Sequence, residues 1–134
     1  MSHDTPEARQ ARNKLAARRA AHARGLAGEK RACAFLTAQG FALLASRLRT
    51  PAGEIDLIAR KDDLLIFCEV KQRASVDAAA ESLSARQRSR IVAAAECFLA
   101  SQPDLCGLDM RFDAILIARN GALRHLPGAF DCTG

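Results

Sequence analysis

The spacing of apolar and polar positions changes several times along this chain, and each change predicts an element. From Met1 to about Arg24 the sequence is Ala- and Arg-rich with no apolar stripe, which predicts a frayed or disordered arm. Gly25-Leu26-Ala27-Gly28 breaks that pattern. A helix is expected from about Gly28 to Gln39, stopped by Gly40. Phe41 to Arg49 reads as a strand and Thr50-Pro51-Ala52-Gly53 as a turn. Glu54 to Arg60 alternates, with Ile55, Leu57 and Ala59 on one face and Glu54, Asp56 and Ile58 on the other. Lys61-Asp62-Asp63 turns the chain into a third strand, Leu64 to Gln72, rich in β-formers. A looser stretch from Arg73 to Leu83 leads to a helix from about Ser84 to Ser101, burying Ile91, Ala94, Ala95 and Phe98 and ended by Pro103. Leu108 to Arg119 is a fourth strand. Asn120-Gly121 is a strong hairpin signal into a short fifth strand near Ala122 to Leu126.

The order helix, three strands, helix, two strands predicts an α/β fold, a mixed sheet with helices against it. With 134 residues a single domain is expected over residues 24–134, preceded by the arm at 1–23. Hydrophobic types make up 49% of the chain, yet 28 residues are Ala, so the core is modest. No apolar run approaches the roughly 20 residues of a membrane helix, and no apolar signal region follows the basic start. A cytoplasmic protein without membrane contact is the expectation.

Charge separates the arm from the body. Residues 1–31 carry eight basic and three acidic side chains, whereas residues 32–134 carry twelve of each. The arm reads either as a contact for a polyanion, most simply a phosphate backbone, or as a solvated tail. Five cysteines, at 33, 68, 97, 106 and 132, form no C-x-x-C pair and no zinc spacing. They fit a reducing compartment, with Cys33, Cys68 and Cys97 as small hydrophobes. His3, His22 and His125 form no triad or metal pattern and are expected to be structural or solvent-facing.

The chemistry concentrates in the hairpin from Gly53 to Arg73. With Asp62-Asp63 at its tip, Asp56 is expected directly opposite Glu69, and Glu54 opposite Lys71. Alternation then puts these four on one face and Ile66, Cys68 and Val70 on the other. Two carboxylates about 5 Å apart repel by roughly 3 kcal/mol at an effective dielectric near 20. A favourable cross-strand pair returns only about 0.2–1 kcal/mol. A cation is therefore expected between them. Lys71 supplies part of the charge, and a hard divalent ion bound by oxygen, Mg²⁺ or Mn²⁺, would supply the rest. The competing reading is a solvated surface hairpin whose acids are paired by Lys71 and Arg73.

Gly53-Glu54-Ile55-Asp56-Leu57-Ile58-Ala59 followed by Phe67-Cys68-Glu69-Val70-Lys71 resembles the D…E-x-K core of restriction-endonuclease-like nucleases, the PD-(D/E)xK superfamily. More closely it resembles the YraN family of small bacterial proteins, themselves similar to archaeal Holliday-junction resolvases. Gly25-x-x-Gly28-Glu29 with Phe35-Leu36, Gly40-Phe41, Arg111-Phe112-Asp113 and Ala129-Phe130 extend the likeness over roughly residues 24–130. The resemblance implies a restriction-endonuclease-like domain, with Asp56 and Glu69 as metal ligands and the Val70 carbonyl completing the set. It also implies that Lys71 orients or deprotonates the attacking water and that Glu29 is an additional catalytic acid. Glu29 shares a stripe with Cys33 and Leu36; its other reading is a carboxylate favoured near a helix start.

The implied activity is metal-dependent phosphodiester hydrolysis on DNA, including branched or recombination intermediates, by a homodimer. Gln72, Arg73, Arg86 and Arg90 are candidates for phosphate contact, with Arg86 and Arg90 on one helix face; a solvated face is the other reading. Asp113 reads as a structural partner of Arg111. Aromatic content is only 4%, with no Trp or Tyr, so backbone and shape recognition is expected over base stacking. The alternatives are a nucleic-acid-binding module without turnover, or a subunit that lends its arm to a larger DNA-processing complex.

Overall fold

A computed structural model describes residues 5–130, a five-stranded mixed sheet between helical layers. Helix α1 (Pro6–Ala38) is followed by the strands β1 (Ala42–Thr50), β2 (Gly53–Lys61) and β3 (Leu64–Arg73). Helices α2 (Val76–Glu81) and α3 (Ala85–Ala100) and a 3-10 turn at Pro103–Leu105 lead to β4 (Asp109–Ala118) and β5 (Leu123–Phe130). Spatial order equals chain order: β1, β2 and β3 are antiparallel neighbours, β4 runs parallel to β3, and β5 closes antiparallel. The parallel step needs a crossover, and α2 with α3 provides it.

The two faces have separate cores. Ala32 and Leu36 of α1 pack with Phe41, Leu57, Ala59, Ile66, Cys68, Ile115 and Ile117. On the opposite face Ala79 of α2 and Ile91, Ala94 and Ala95 of α3 cover Ile55, Ile58, Leu65, Phe67 and Leu116. The α3 boundaries follow from a capping box, Ser84 with Gln87.

Three expectations are corrected. The helix starts at Pro6, where Thr5 caps it by accepting the Ala8 amide and proline occupies the first turn. It runs through Gly25 and Gly28 without a break, because Ala and Arg favour helix strongly enough to carry two glycines. Residues 1–4 of the expected arm, His3, Cys132 and the side chain of His22 lie outside the described residues. The looser stretch at 73–83 contains α2, nucleated by the Ser75 cap. The fifth strand extends to Phe130, tolerating Pro127 because β5 is an edge strand.

Alternation in β2 is also not uniform. Ile55 packs with Ile58 on the α3 face, while Leu57 and Ala59 face α1. The facing flips at Asp56. Opposite it, the β1–β2 ladder passes from Ser46↔Leu57 to Leu48↔Ile55, skipping the rung where Arg47 would face Asp56. Arg47 there adopts φ 51°, a left-handed conformation unusual for a side-chain-bearing residue.

Candidate active site at a fork in the sheet

The β2–β3 ladder has the expected register from Lys61↔Leu64 to Leu57↔Cys68. Asp62, at φ 52°, supplies the left-handed turn residue. Beyond Cys68 the strands part. β3 continues paired only to β4, through Arg73↔Ala118, while β2 continues paired to β1, through Thr50↔Gly53. Asp56 and Glu69 therefore flank the mouth of a fork instead of forming a rung. Glu54 is likewise not seated opposite Lys71; it lies 3.6 Å from Arg49 in an exposed ion pair.

Inside the fork the Asp56 carboxylate accepts the Val70 amide hydrogen at 2.8 Å. Strand separation would otherwise leave that donor unmatched in a half-buried place. Lys71 Nζ lies 3.0 Å from Glu69 Oε1, with both side chains more than four-fifths buried. Glu29, on the α1 wall, is 3.4 Å from Arg47 Nε. The buried stripe of α1 is Gly28, Ala32 and Leu36, with Glu29 and Cys33 flanking it and not within it.

These neighbours set the protonation of Asp56. Burial pushes its carboxyl up to about 7, the Glu69 charge adds to the rise, and Glu29 adds less. The Val70 hydrogen bond opposes this without cancelling it. Both acids line the smaller of the two clefts at the fork, and carboxyls placed near one another relieve repulsion when one of them holds a proton.

Two clefts open at Asp56. On the α1 side a space of about 340 Å³ is lined by Glu29, Asp56, Lys71, Gln72, Arg73 and Arg119. On the α3 side a space of about 160 Å³ is lined by Glu54, Asp56, Glu69, Gln87 and Arg90. Glycines leave room for two of these side chains. A Cβ on Gly28 would fall 2.9 Å from Gln72 Oε1, an acceptor buried with no hydrogen-bond partner among the described residues. A Cβ on Gly53 would fall 2.5 Å from Arg90 Cγ.

The structure therefore gathers Glu29, Asp56, Glu69, Val70, Lys71, Gln72, Arg73 and Arg90 around the fork. It leaves Arg86 outside both clefts, exposed one turn earlier on α3. Arg119 and Gln87 join the linings; Gln87 is marked in the sequence only by its place in the Ser84 capping box, and no motif marks Arg119. Arg119 follows the parallel pairing of β4 on β3, a long-range contact with no local signal. Asp113 lies elsewhere, fully buried, and bonds Arg111 twice, His125 and the Gly128 amide. It is a structural anchor, and His125 is structural with it.

The profile of uncharacterised protein family UPF0102 matches residues 28–117. The chain belongs to UPF0102. It is the YraN-like family that the motifs resemble. Members include a UPF0102 protein of Azorhizobium caulinodans, 60% identical over 131 residues, covering 98% of this chain and 95% of the relative. The UPF0102 protein RPA0323 of Rhodopseudomonas palustris is 54% identical over 117 residues, covering 87% and 90%. The UPF0102 protein BRADO0179 of a Bradyrhizobium species is 53% identical over 114 residues, covering 85% and 81%. The UPF0102 match begins at Gly28, the first fully buried position of α1 among the described residues. No helix among the described residues is long and apolar enough to cross a membrane.

Proposed function

We propose that this UPF0102 protein is a metal-dependent phosphodiester hydrolase of restriction-endonuclease type that acts on DNA, with its centre at the fork. The observation that carries this reading is the placement of Asp56 and Glu69, two acids with little exposure that line one cleft and whose close cation among the described residues is Lys71. Such a pair has little structural use. A fold seeking stability alone would replace it with apolar side chains.

The donors suit a hard cation. Among the described residues no group of three or more His, Cys, Asp or Glu side chains is placed to hold an ion, so a closed structural zinc site does not fit. Magnesium, by contrast, is commonly held by one or two carboxylates and retains several waters. Asp56 and Glu69 would hold Mg²⁺ or Mn²⁺, with the Val70 carbonyl as a further oxygen donor. Such an ion lowers the pKa of a bound water and screens charge on a phosphate.

The chain's own groups have definable roles. Lys71, anchored on Glu69, can orient a water and offset negative charge as it develops on the phosphate. Glu29, on the wall of the larger cleft, adds an acidic group near Asp56. Gln72, Arg73 and Arg119 line the rim where neighbouring backbone phosphates would lie. A homodimer belongs to the same reading, because a paired incision needs two such centres.

The test is cleavage of linear, flapped and four-way DNA with Mg²⁺ or Mn²⁺, alongside Lys71→Ala. Metal-dependent cutting that disappears in the variant supports hydrolysis. Binding without cutting leaves a DNA-binding module instead. Calorimetric titration of Mn²⁺ into the wild type and Asp56→Asn tests the ion separately: equal binding by both removes Asp56 as a ligand.

A further inference from the structure

The smaller cleft contains a cation that no described residue engages. Its acids already have partners: Glu54 lies near Arg49, Glu69 near Lys71, and Asp56 holds the Val70 amide. Arg90 has no hydrogen bond or ion pair to any described residue, although it lines the same cleft as all three acids. A charge-balancing arginine would close onto one of those carboxylates. This one does not.

Its stem is nevertheless specifically seated. Gly53 has φ +148°, and a Cβ there would lie 2.5 Å from Arg90 Cγ and 2.8 Å from Cδ. The aliphatic chain of Arg90 thus crosses the bare α-carbon at the start of β2, three residues before Asp56. Packing of this kind fixes the stem and leaves the guanidinium for something outside the protein.

We propose that Arg90 is the phosphate-binding residue of the α3-side cleft, gripping a DNA backbone phosphate beside the one at Asp56 and Glu69, with its stem seated over Gly53. This rests on the DNA reading above and adds a second contact on the opposite side of Asp56 from Gln72, Arg73 and Arg119. A guanidinium suits the role because its planar fork bonds two phosphate oxygens at once, which an ammonium cannot do.

The experiment measures binding of a short fluorescent duplex and a four-way junction in calcium chloride, over a range of salt concentrations. Arg90→Ala is expected to weaken binding about tenfold near 0.1 M salt and to flatten the log–log salt slope by about one. Arg90→Lys should restore the slope but only part of the affinity. Arg86→Ala removes the same formal charge from the same helix, outside the cleft, and should cost less than about threefold. The assignment is overturned if Arg90→Ala matches wild type, or if Arg86→Ala loses as much. Wild-type protein that binds neither DNA overturns this proposal and the DNA reading together. The Arg90 signature in a protein that cuts nothing supports the phosphate contact while overturning hydrolysis.

Discussion

The Asp56 carboxylate receives the Val70 amide hydrogen at 2.8 Å, in the place where β2 and β3 have stopped exchanging backbone hydrogen bonds. A side chain here completes a ladder that the main chain abandons. The substitution keeps Val70 satisfied while the strands splay, and it points a charged group into the gap. Opposing effects then meet on one carboxyl. Burial and Glu69 favour its protonated form, and the amide favours its ionised form.

A pH dependence of stability follows. Asp56 titrates near 7 in the folded chain against an ordinary value of 3.8, so the folded state holds this proton more tightly than the unfolded state. Stability therefore declines as pH rises from about 4 towards 7 and levels off above that range. The loss is on the order of 2–4 kcal/mol. Asp56→Asn keeps an acceptor for Val70 and removes the charge. It should be more stable than wild type above neutral pH by about that amount, with a flatter profile. Urea melts across pH check this, and parallel curves for both proteins would show that the acid carries no such cost.

Lys71→Ala separates chemistry from binding. The ammonium lies 3.0 Å from Glu69, within the acid pair's immediate surroundings. Its removal should lower cleavage by a factor on the order of 10²–10⁴. Duplex affinity in calcium should fall only about as far as one phosphate contact allows. Single-turnover cleavage and anisotropy measure the two effects. Proportional declines in both would make Lys71 a binding residue only.

Much of this is readable in the sequence because it is local. The hairpin register follows from Asp62-Asp63 at the tip, and with it the proximity of Asp56, Glu69 and Lys71. The fork is not readable. It depends on Arg47 adopting a left-handed conformation in a neighbouring strand and on β3 exchanging β2 for β4 as its companion. Strict alternation consequently misplaces Ile55, which packs with Ile58. Arg119 and the seating of Arg90 on Gly53 are hidden for the same reason: each joins segments far apart in the chain. The start of α1 fails differently. A missing apolar stripe suggests disorder, although Ala-rich sequence and a good cap are enough to propagate a helix that is anchored further along.

Asp113 should be the most sensitive polar position in the core. Burial alone would raise its pKa, but hydrogen bonds from Arg111, Gly128 and His125 outweigh burial and hold it below the ordinary value. A depressed carboxylate stabilises above its unfolded value and loses that contribution as pH falls through the acid range. Asp113→Ala strands the Arg111 guanidinium and the Gly128 amide, at a cost of about 3 kcal/mol. Thermal melting should fall by on the order of 10 °C, with DNA affinity per folded molecule unchanged. Wild-type stability in the variant would mean that Arg111 and His125 find solvent without penalty.

The helical extension before Gly28 makes a separate prediction. Between Pro6 and Arg24 it carries Arg9, Arg12, Lys14, Arg18, Arg19 and Arg24 against Glu7 alone. No described side chain there is fully buried. A helix that is polar all round and mostly of one charge gains little from the fold, and self-repulsion opposes it. Phosphates aligned along its length would remove that repulsion. Deletion of residues 1–23 should therefore leave the melting temperature of the body nearly unchanged. It should weaken duplex binding and flatten the salt slope by several counterions, about 0.9 for each phosphate that is no longer neutralised. Circular dichroism should show wild-type helicity rising when DNA is added and the truncated chain showing no change. If the salt slope survives truncation intact, the extension takes no part in holding DNA, and the affinity must come from the cleft residues around Asp56.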